Sequence, residues 1–498
     1  MTPTSPPAPV HLSLVSHTNV GKTTLARTLL GRDIGEVRDA PHVTEFAEMN
    51  RLLRSEAGDE LQLWDTPGFG DSVRLLRRLK HRGSPLGWFL AEVWDRWRDR
   101  PFWASQQALR HVRETSDVVL YLVNAAESPA GAAYVQPELE LLSWVGKPVI
   151  VLLNQMGAPR AAAEEAADIE RWRVRVVDSA APVRDVLPMD AFARCWVQEG
   201  VLLQAIGRAL GDGTGGTGGD ARLQRLHAAW ARERLARFDG AVRELAASLA
   251  RIASARVPLA DDQRMLARLL PRRGASDAAT ALALAEALDA EVRASTQRLL
   301  ALHGIEGRAG PAILDRVAAQ VRVRRSIGES AASLIGGVVG GALSGLAADL
   351  MAGGLSFGAG MLAGGVLGAL GGAGTARAIN VVRGTGSGFA SWDDAALTPI
   401  VQATVLRYLA VAHFGRGRGE WVEGEAPAHW VPLVQDVLAT YDEAFAGLWD
   451  ERTAARDNPG EAQALAARLH PLLGDVLAEV LQRLYPGTWP ADDDRWAG

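Results

Sequence analysis

Apolar and polar positions in the first 210 residues follow two alternating periods. HLSLVS (11–16) alternates as a strand does, and after a turn at Gly21–Thr23 the segment TTLARTLLG places its apolar residues at helical spacing. Thr44 to Leu53 alternates, SEAGDE turns the chain, and LQLWD (61–65) alternates again, which predicts a hairpin. DVVLYLVN (117–124) and PVIVLLN (148–154) are unbroken apolar runs of strand length, as in strands buried on both faces. RVRVVDS (173–179) alternates and supplies a sixth candidate strand. Helical stretches lie between these runs, so the pattern predicts an α/β doubly wound domain.

Residues 73–113 break the rhythm. VRLLRRLKHRGSPLGWFLAEVWDRWRDRPFW sets Trp88, Trp94, Trp97 and Trp103 among arginines and reads as a helical insertion after the third strand. GDGTGGTGGD (211–220) has the composition of a linker and marks the expected domain boundary. From 221 to 498 the pattern is helical, Ala/Leu/Arg-rich up to 330 and amphipathic again beyond 390.

Between them, 330–376 carries no charge except Asp349. Gly337, Gly341 and Gly345, then Gly360, Gly364, Gly368 and Gly372, recur at every fourth position and would line one helix face with glycine. This predicts a Gly-rich apolar helical hairpin turning near Asp349, within an all-α domain. Each arm is long enough to cross a bilayer, and Arg322, Arg324, Arg325, Arg377 and Arg383 flank the block. A buried hairpin in a soluble bundle fits the same pattern. The expected plan is a disordered arm at 1–10, an α/β domain at 11–210, a linker at 211–220 and a helical domain at 221–498.

Net charge is −5, which disfavours wholesale nucleic-acid binding, and no RNA-binding module is recognisable. The single cysteine, Cys195, excludes an intramolecular disulfide and any multi-cysteine metal site and fits a reducing compartment. The start MTPTSPPAPV lacks the basic onset and apolar run of a signal peptide. The expected location is cytoplasmic, with the 330–376 block offering attachment to or insertion in the inner membrane.

SHTNVGKTT (16–24) carries the candidate chemistry. It matches the phosphate-binding pattern GxxxxGKS/T except that Ser16 stands in place of the first glycine. Asn19, Val20, Gly21, Lys22, Thr23 and Thr24 would wrap phosphate oxygens with backbone N–H groups at a helix N-terminus. Lys22 would reach the β- and γ-phosphates, and the Thr23 hydroxyl would bind Mg²⁺. Gly21 is required because a Cβ there would crowd the phosphates. LQLWDTPGFGD follows downstream: Asp65, at a strand end, suits a carboxylate holding Mg²⁺ through water, and Gly68 can offer its N–H to the γ-phosphate. Thr44, in PHVTE, suits a mobile threonine closing on the metal.

With these residues the N-terminal region resembles the translation-factor-related GTPases, in particular the TrmE–Era-like branch: Asn19-Val20-Gly21-Lys22-Thr23 matches its loop and DTPG (65–68) its second motif. The resemblance implies a Ras-like P-loop GTPase fold, guanine nucleotide and Mg²⁺ as ligands, and GTP hydrolysis that is slow or partner-dependent. It also implies a K⁺ ion held by Asn19 and completion of catalysis by a partner or a homodimer, since Phe69 replaces the water-positioning glutamine that can follow DxxG. The whole chain resembles bacterial GTP-binding proteins with a C-terminal domain of unknown function, DUF3482, through DAFARCWVQE (190–199), DLMAGGLSFGAG and RYLAVAHFGRGRGEW.

One motif departs from the pattern. Where NKxD should end the fifth strand stands NQMG (154–157), which keeps Asn154 and lacks the aspartate that reads guanine. Ser179 and Ala180 are the candidates for the remaining base loop, and Asp178 a candidate substitute for the missing carboxylate. The Trp/Arg insertion allows two readings, a helical pair capping the α/β domain or a surface for a protein partner or membrane. The sequence thus predicts a nucleotide switch coupled to a membrane-associating helical domain. The alternative is a soluble GTP-binding scaffold with little turnover.

Overall fold

The computed structural model describes residues 8–30, 48–80, 99–157, 160, 162–191, 195–211, 220–258, 275–304, 379–382, 389–413, 427, 429–454 and 460–490. Thr44, Trp88, Trp94, Trp97, most of the Gly-rich linker and the whole 330–376 block lie outside the described residues. The described residues within Met1–Leu235 and Tyr485–Asp492 form one unit, and those within Ala236–Phe414 and Glu420–Leu484 another.

The first unit is built on a six-stranded sheet. Its strands are β1 (Val10–Ser16), β2 (Glu48–Arg54), β3 (Glu60–Asp65), β4 (Val118–Asn124), β5 (Val149–Asn154) and β6 (Val183–Pro188), in the order β2-β3-β1-β4-β5-β6. The edge strand β2 runs antiparallel to β3, and all other pairs are parallel. From Glu48 to Asp65 the expected hairpin is present, closed at Ser55–Asp59, where the Ser55 N–H donates to the Asp59 carbonyl at 2.9 Å. Val118 to Val123 and Val149 to Leu153 are fully buried, which is why these strands read as continuous apolar runs. Burying each such side chain favours folding by roughly 1.5–3 kcal/mol.

The helices of this unit are α1 (Lys22–Leu30), α2 (Ser72–Lys80), α3 (Arg100–Thr115), α4 (Val135–Val145), α5 (Ala162–Val177) and α6 (Trp196–Gly211). Two expectations change here. RVRVVDS is the end of α5 rather than a strand: Trp172 and Val176, four residues apart, face the core, while Val174 and Val177 are exposed. The sixth strand lies further on, at β6. Residues 100–113 belong to the framework rather than to an insertion, because Phe102, Leu109 and Val112 of α3 are buried against the sheet. The Asp99 side chain accepts from the Phe102 N–H at 3.2 Å and Pro101 sits in the first turn, so α3 starts where its sequence dictates. Arg74 of α2 binds Asp99 at 2.5 Å and covers the Phe102 ring at 3.9 Å, tying the two helices together.

Helix α7 (Ala221–Ala253) begins in this unit, and the division between the two units falls within it, downstream of the Gly-rich segment. Its Arg225 forms a two-pronged pair with Asp59 at 2.7 and 2.8 Å. Trp230 fills the space above Gly200 of α6, where a Cβ would lie 2.6 Å from the ring. Arg234 pairs with buried Glu199 at 2.7 Å.

The second unit is mostly helical, as expected, and adds a small antiparallel sheet of β7 (Arg256–Pro258), β8 (Ile379–Val382) and β9 (Phe389–Trp392) in the order β7-β9-β8. Its helices are the rest of α7, α8 (Ala275–Leu302), α9 (Asp394–His413), α10 (Trp430–Thr440), α11 (Asp442–Ala454) and α12 (Glu461–Leu484). Among the described residues α9 is the one helix long and apolar enough to cross a membrane. Most of it is buried inside this unit, including Leu397, Val405, Tyr408 and Leu409, so it serves as a core helix. His413 at its end is buried and its Nδ1 lies 2.6 Å from the Leu409 carbonyl. Burial pushes its pKa down to about 4.

Candidate functional site

Strand β1 ends at Ser16 and α1 opens at Lys22, so the phosphate-loop pattern spans the strand-to-helix turn that it requires. Asn19 has φ +64 and Gly21 φ +93, which gives the loop its inward curl. Ser16 is buried, and its hydroxyl accepts from Lys22 Nζ at 3.1 Å. The residue that looked like the defect in the motif therefore holds the lysine. Burial lowers the Lys22 pKa, opposed by the nearby carboxylates of Asp65 and Glu138. Val20 and Thr24 are buried beneath the loop.

The second motif closes on the first. The Phe69 N–H donates to the Ser16 carbonyl at 3.0 Å, and a Cβ on Gly68 would lie 3.1 Å from Lys22 Nζ and 3.2 Å from Thr18. Gly68 therefore belongs where the loop and the lysine leave no room for a side chain. Phe69 is fully buried and points into the core. The Ser105 hydroxyl of α3 donates to the Gly68 carbonyl at 3.1 Å, a tie that the sequence did not announce.

Asp65 ends β3 beside β1 and is buried. The Thr23 hydroxyl donates to its Oδ2 at 2.6 Å, while its Oδ1 is buried with no hydrogen-bond partner among the described residues. Burial raises the Asp65 pKa, countered first by the charge of Lys22. A hydroxyl, a carboxylate and one orphaned carboxylate oxygen beside the phosphate loop fit a hard divalent cation.

Asn154 does two jobs. Its Nδ2 donates to the Val20 carbonyl at 2.7 Å, and its Oδ1 accepts from the Ala191 N–H at 2.8 Å. It therefore locks the phosphate loop to the chain leaving β6. A Cβ on Gly21 would lie 2.8 Å from Asn154 Nδ2, so this contact already demands glycine there, before any phosphate is considered.

The structure does not bring Ser179 and Ala180 to Asn154. Ser179 and Ala180 precede β6, and Val149 at the start of β5 pairs with Val183. They and Asp178 thus lie at the amino end of the sheet, away from Asn154 at the carboxyl end of β5. The segment that reaches Asn154 is Met189-Asp190-Ala191: the Met189 N–H donates to the Leu153 carbonyl at 2.9 Å, and Asp190 Oδ2 accepts from the Met156 N–H at 2.7 Å. The sequence signal for it was the short apolar VLP before MDA, masked by the polar half of its own strand.

Glu138 and Tyr121 are fully buried beside the loop, and the partly exposed His17 of the loop reaches Glu138. His17 Nδ1 is 2.9 Å from Glu138 Oε1, and the Tyr121 hydroxyl donates to Glu138 Oε2 at 2.9 Å. The His17 ring stacks on Tyr134 at 4.7 Å. Burial raises the Glu138 pKa, opposed first by its hydrogen bond with His17. Among the described residues no group of three or more His, Cys, Asp or Glu forms a metal cluster.

Residues 218–470, half of the chain, match the family model described as "Domain of unknown function (DUF3482)". The chain belongs to the DUF3482 family. Residues 11–155 of this DUF3482 protein match the model described as "50S ribosome-binding GTPase", and the region is an Era-like P-loop GTPase domain. The curated GTPase Era of Geobacter metallireducens is 26% identical over 182 residues, covering 36% of this chain and 49% of the relative. GTPase Era of Geotalea uraniireducens is 28% identical over 184 residues, covering 36% and 50%. The chain thus spans about half the length of the curated relatives it matches. A solved structure of an Aquifex aeolicus Era variant bound to GDP and AlF4⁻ is 19% identical, covering 37% of this chain and 51% of that one, with a TM-score of 0.27. These matches lie on the Era side of the resemblance and carry nothing specific to TrmE.

Proposed function

We propose that the first unit of this DUF3482 protein binds GTP with Mg²⁺, hydrolyses it slowly, and acts as a switch whose output is carried by the helical region. The observation that carries this reading is the Thr23–Asp65 contact at 2.6 Å, with the second Asp65 oxygen buried and orphaned beside the phosphate loop. The loop N–H groups and Lys22 bind and orient the phosphates. A Mg²⁺ ion held by Thr23, with Asp65 behind it and Thr44 as the proposed third contact, supplies neutralisation of phosphate charge. Gly68 offers its N–H to the terminal phosphate. Asn19 is the proposed K⁺ contact, tested by turnover in potassium against sodium.

The full burial of Phe69 favours the alternative in which turnover is low, because no side chain at that position is available to orient water. Catalysis then awaits a partner, a homodimer or a protein docked on the Trp/Arg segment. Membrane attachment in the cytoplasm through 330–376 belongs to the same proposal. Carbonate washing of membrane fractions tests it, and a protein that is wholly soluble and monodisperse without detergent refutes it. The nucleotide site itself is tested by Lys22→Ala. That variant is expected to lose GTP binding, and unchanged binding refutes the assignment.

A further inference from the structure

We propose that Asp190 reads the guanine base in this chain, in place of the aspartate absent from NQMG; this rests on the nucleotide-site reading above. After Asn154 the chain runs through Gln155, at φ +59, and Met156 to Gly157, at φ +83. Gly157 brings no carboxylate, and a Cβ built on it meets nothing within 4 Å among the described residues. A different carboxylate lies beside it. Asp190 Oδ2 accepts from the Met156 N–H at 2.7 Å, one residue before Gly157. The next residue, Ala191, donates its N–H to Asn154 Oδ1, which fixes the Asp190 backbone against the same strand end. Strands β5 and β6 are parallel, so both segments emerge at the carboxyl edge of the sheet, where ligands of open α/β sheets bind.

The chemistry fits guanine. Its N1–H and 2-amino group are two donors side by side, and a carboxylate carries two oxygens with about four acceptor positions, enough for several donors at once. Adenine presents an acceptor nitrogen at that edge and repels a carboxylate. The β5 segment has thus kept the asparagine that braces the loop, while the acid has moved to the end of β6. The competing role for Asp190 is a cap on the Met156 N–H with no contact to the base.

Asp190→Asn separates the two. It keeps the shape and an oxygen for the Met156 N–H. It also changes the base preference in one direction, because an amide offers an acceptor to N1–H and a donor to the 2-oxo group of xanthine. The experiment measures displacement of a fluorescent GTP analogue from the full chain by GTP, inosine triphosphate, xanthosine triphosphate and ATP, for wild type, Asp190→Asn and Lys22→Ala. Wild type is expected to prefer GTP over inosine triphosphate, which lacks the 2-amino group, and over ATP. Asp190→Asn is expected to lose roughly 10–100-fold in GTP affinity per charge-assisted bond removed and to gain affinity for xanthosine triphosphate. A fold defect lowers every nucleotide together and cannot produce that gain. The proposal is overturned if Asp190→Asn keeps the wild-type ratio of GTP to xanthosine triphosphate, or if wild type does not distinguish GTP from ATP while Lys22→Ala abolishes both. A wild type that binds no triphosphate, or a Lys22→Ala variant that binds normally, overturns the nucleotide site and this inference with it, by a different pattern.

Discussion

Gly21 and Asn154 are in mutual contact: a Cβ on Gly21 would fall 2.8 Å from Asn154 Nδ2, the same nitrogen that donates to the Val20 carbonyl. The phosphate loop is thus shaped from below by the end of β5 as well as by its own backbone. Gly21→Ala combines this clash with a φ of +93 and is expected to destabilise the first unit by about 2–4 kcal/mol, with loss of nucleotide binding. Urea denaturation and fluorescent-nucleotide titration check both; a stable variant with wild-type affinity would show the contact to be irrelevant.

Asn154→Ala leaves the Val20 carbonyl and the Ala191 N–H without their partner in a fully buried place. The expected cost is about 2–4 kcal/mol. Asn154→Asp keeps the acceptor for Ala191 and turns a donor toward Val20 into an acceptor, so it is expected to recover little of that loss. Chemical denaturation of the two variants side by side checks the direction.

Phe69 is fully buried and sits where a water-positioning glutamine would otherwise stand. Phe69→Gln buries an amide without removing the need to fill the core, so stability is expected to fall by about 3 kcal/mol and turnover not to rise. Single-turnover hydrolysis checks this. A rise in rate would mean that the residue faces the phosphates in the bound state.

Arg225 holds Asp59 in the β2–β3 turn and, with its two hydrogen bonds, draws the Asp59 pKa down to about 2. An acid that is stronger in the folded chain stabilises it above the ordinary carboxylate pKa of about 3.9, and that stabilisation is lost as pH falls toward about 2. Wild type is expected to lose stability over that window more steeply than Asp59→Asn, measured by urea midpoints between pH 5 and pH 2.5. Parallel curves for the two proteins would contradict the assignment.

Fully buried Glu138 accepts from the buried Tyr121 hydroxyl and pairs with His17, whose side chain is partly exposed. Glu138→Ala strands both partners and is expected to cost about 3–5 kcal/mol, while Glu138→Gln retains the Tyr121 contact and costs less. Equal losses in the two variants would show that neither the side-chain volume nor the Tyr121 contact that glutamine keeps contributes there.

Much of the first unit was legible from the chain. The motif residues Lys22, Thr23, Asp65 and Gly68 stand together because both segments sit at ends of buried parallel strands, and those strands declare themselves by composition. The error began at one strand. RVRVVDS alternates, but its alternation is that of an exposed helix end, with Val174 and Val177 in solvent. The true edge strand, VRDVLP, looks polar because Arg184 and Asp185 lie in its less buried first half, while Val186 and Leu187 are buried. Misplacing the strand misplaces the segment expected beside Asn154, so Ser179 and Ala180 are expected where Met189, Asp190 and Ala191 stand. Periodicity also gave no sign that α3 belongs to the core or that Ser105 reaches Gly68, because both depend on contacts distant in sequence.

The most direct test of the central claim is competition for the nucleotide site. A fluorescent GTP analogue is bound to the full-length chain with and without Mg²⁺ and displaced by GTP, GDP, ATP and ADP, alongside Lys22→Ala. Saturable binding strengthened by Mg²⁺ is expected, with displacement by guanine nucleotides ahead of adenine nucleotides and no binding by Lys22→Ala. Binding that is indifferent to Mg²⁺ and survives in Lys22→Ala would contradict the central claim.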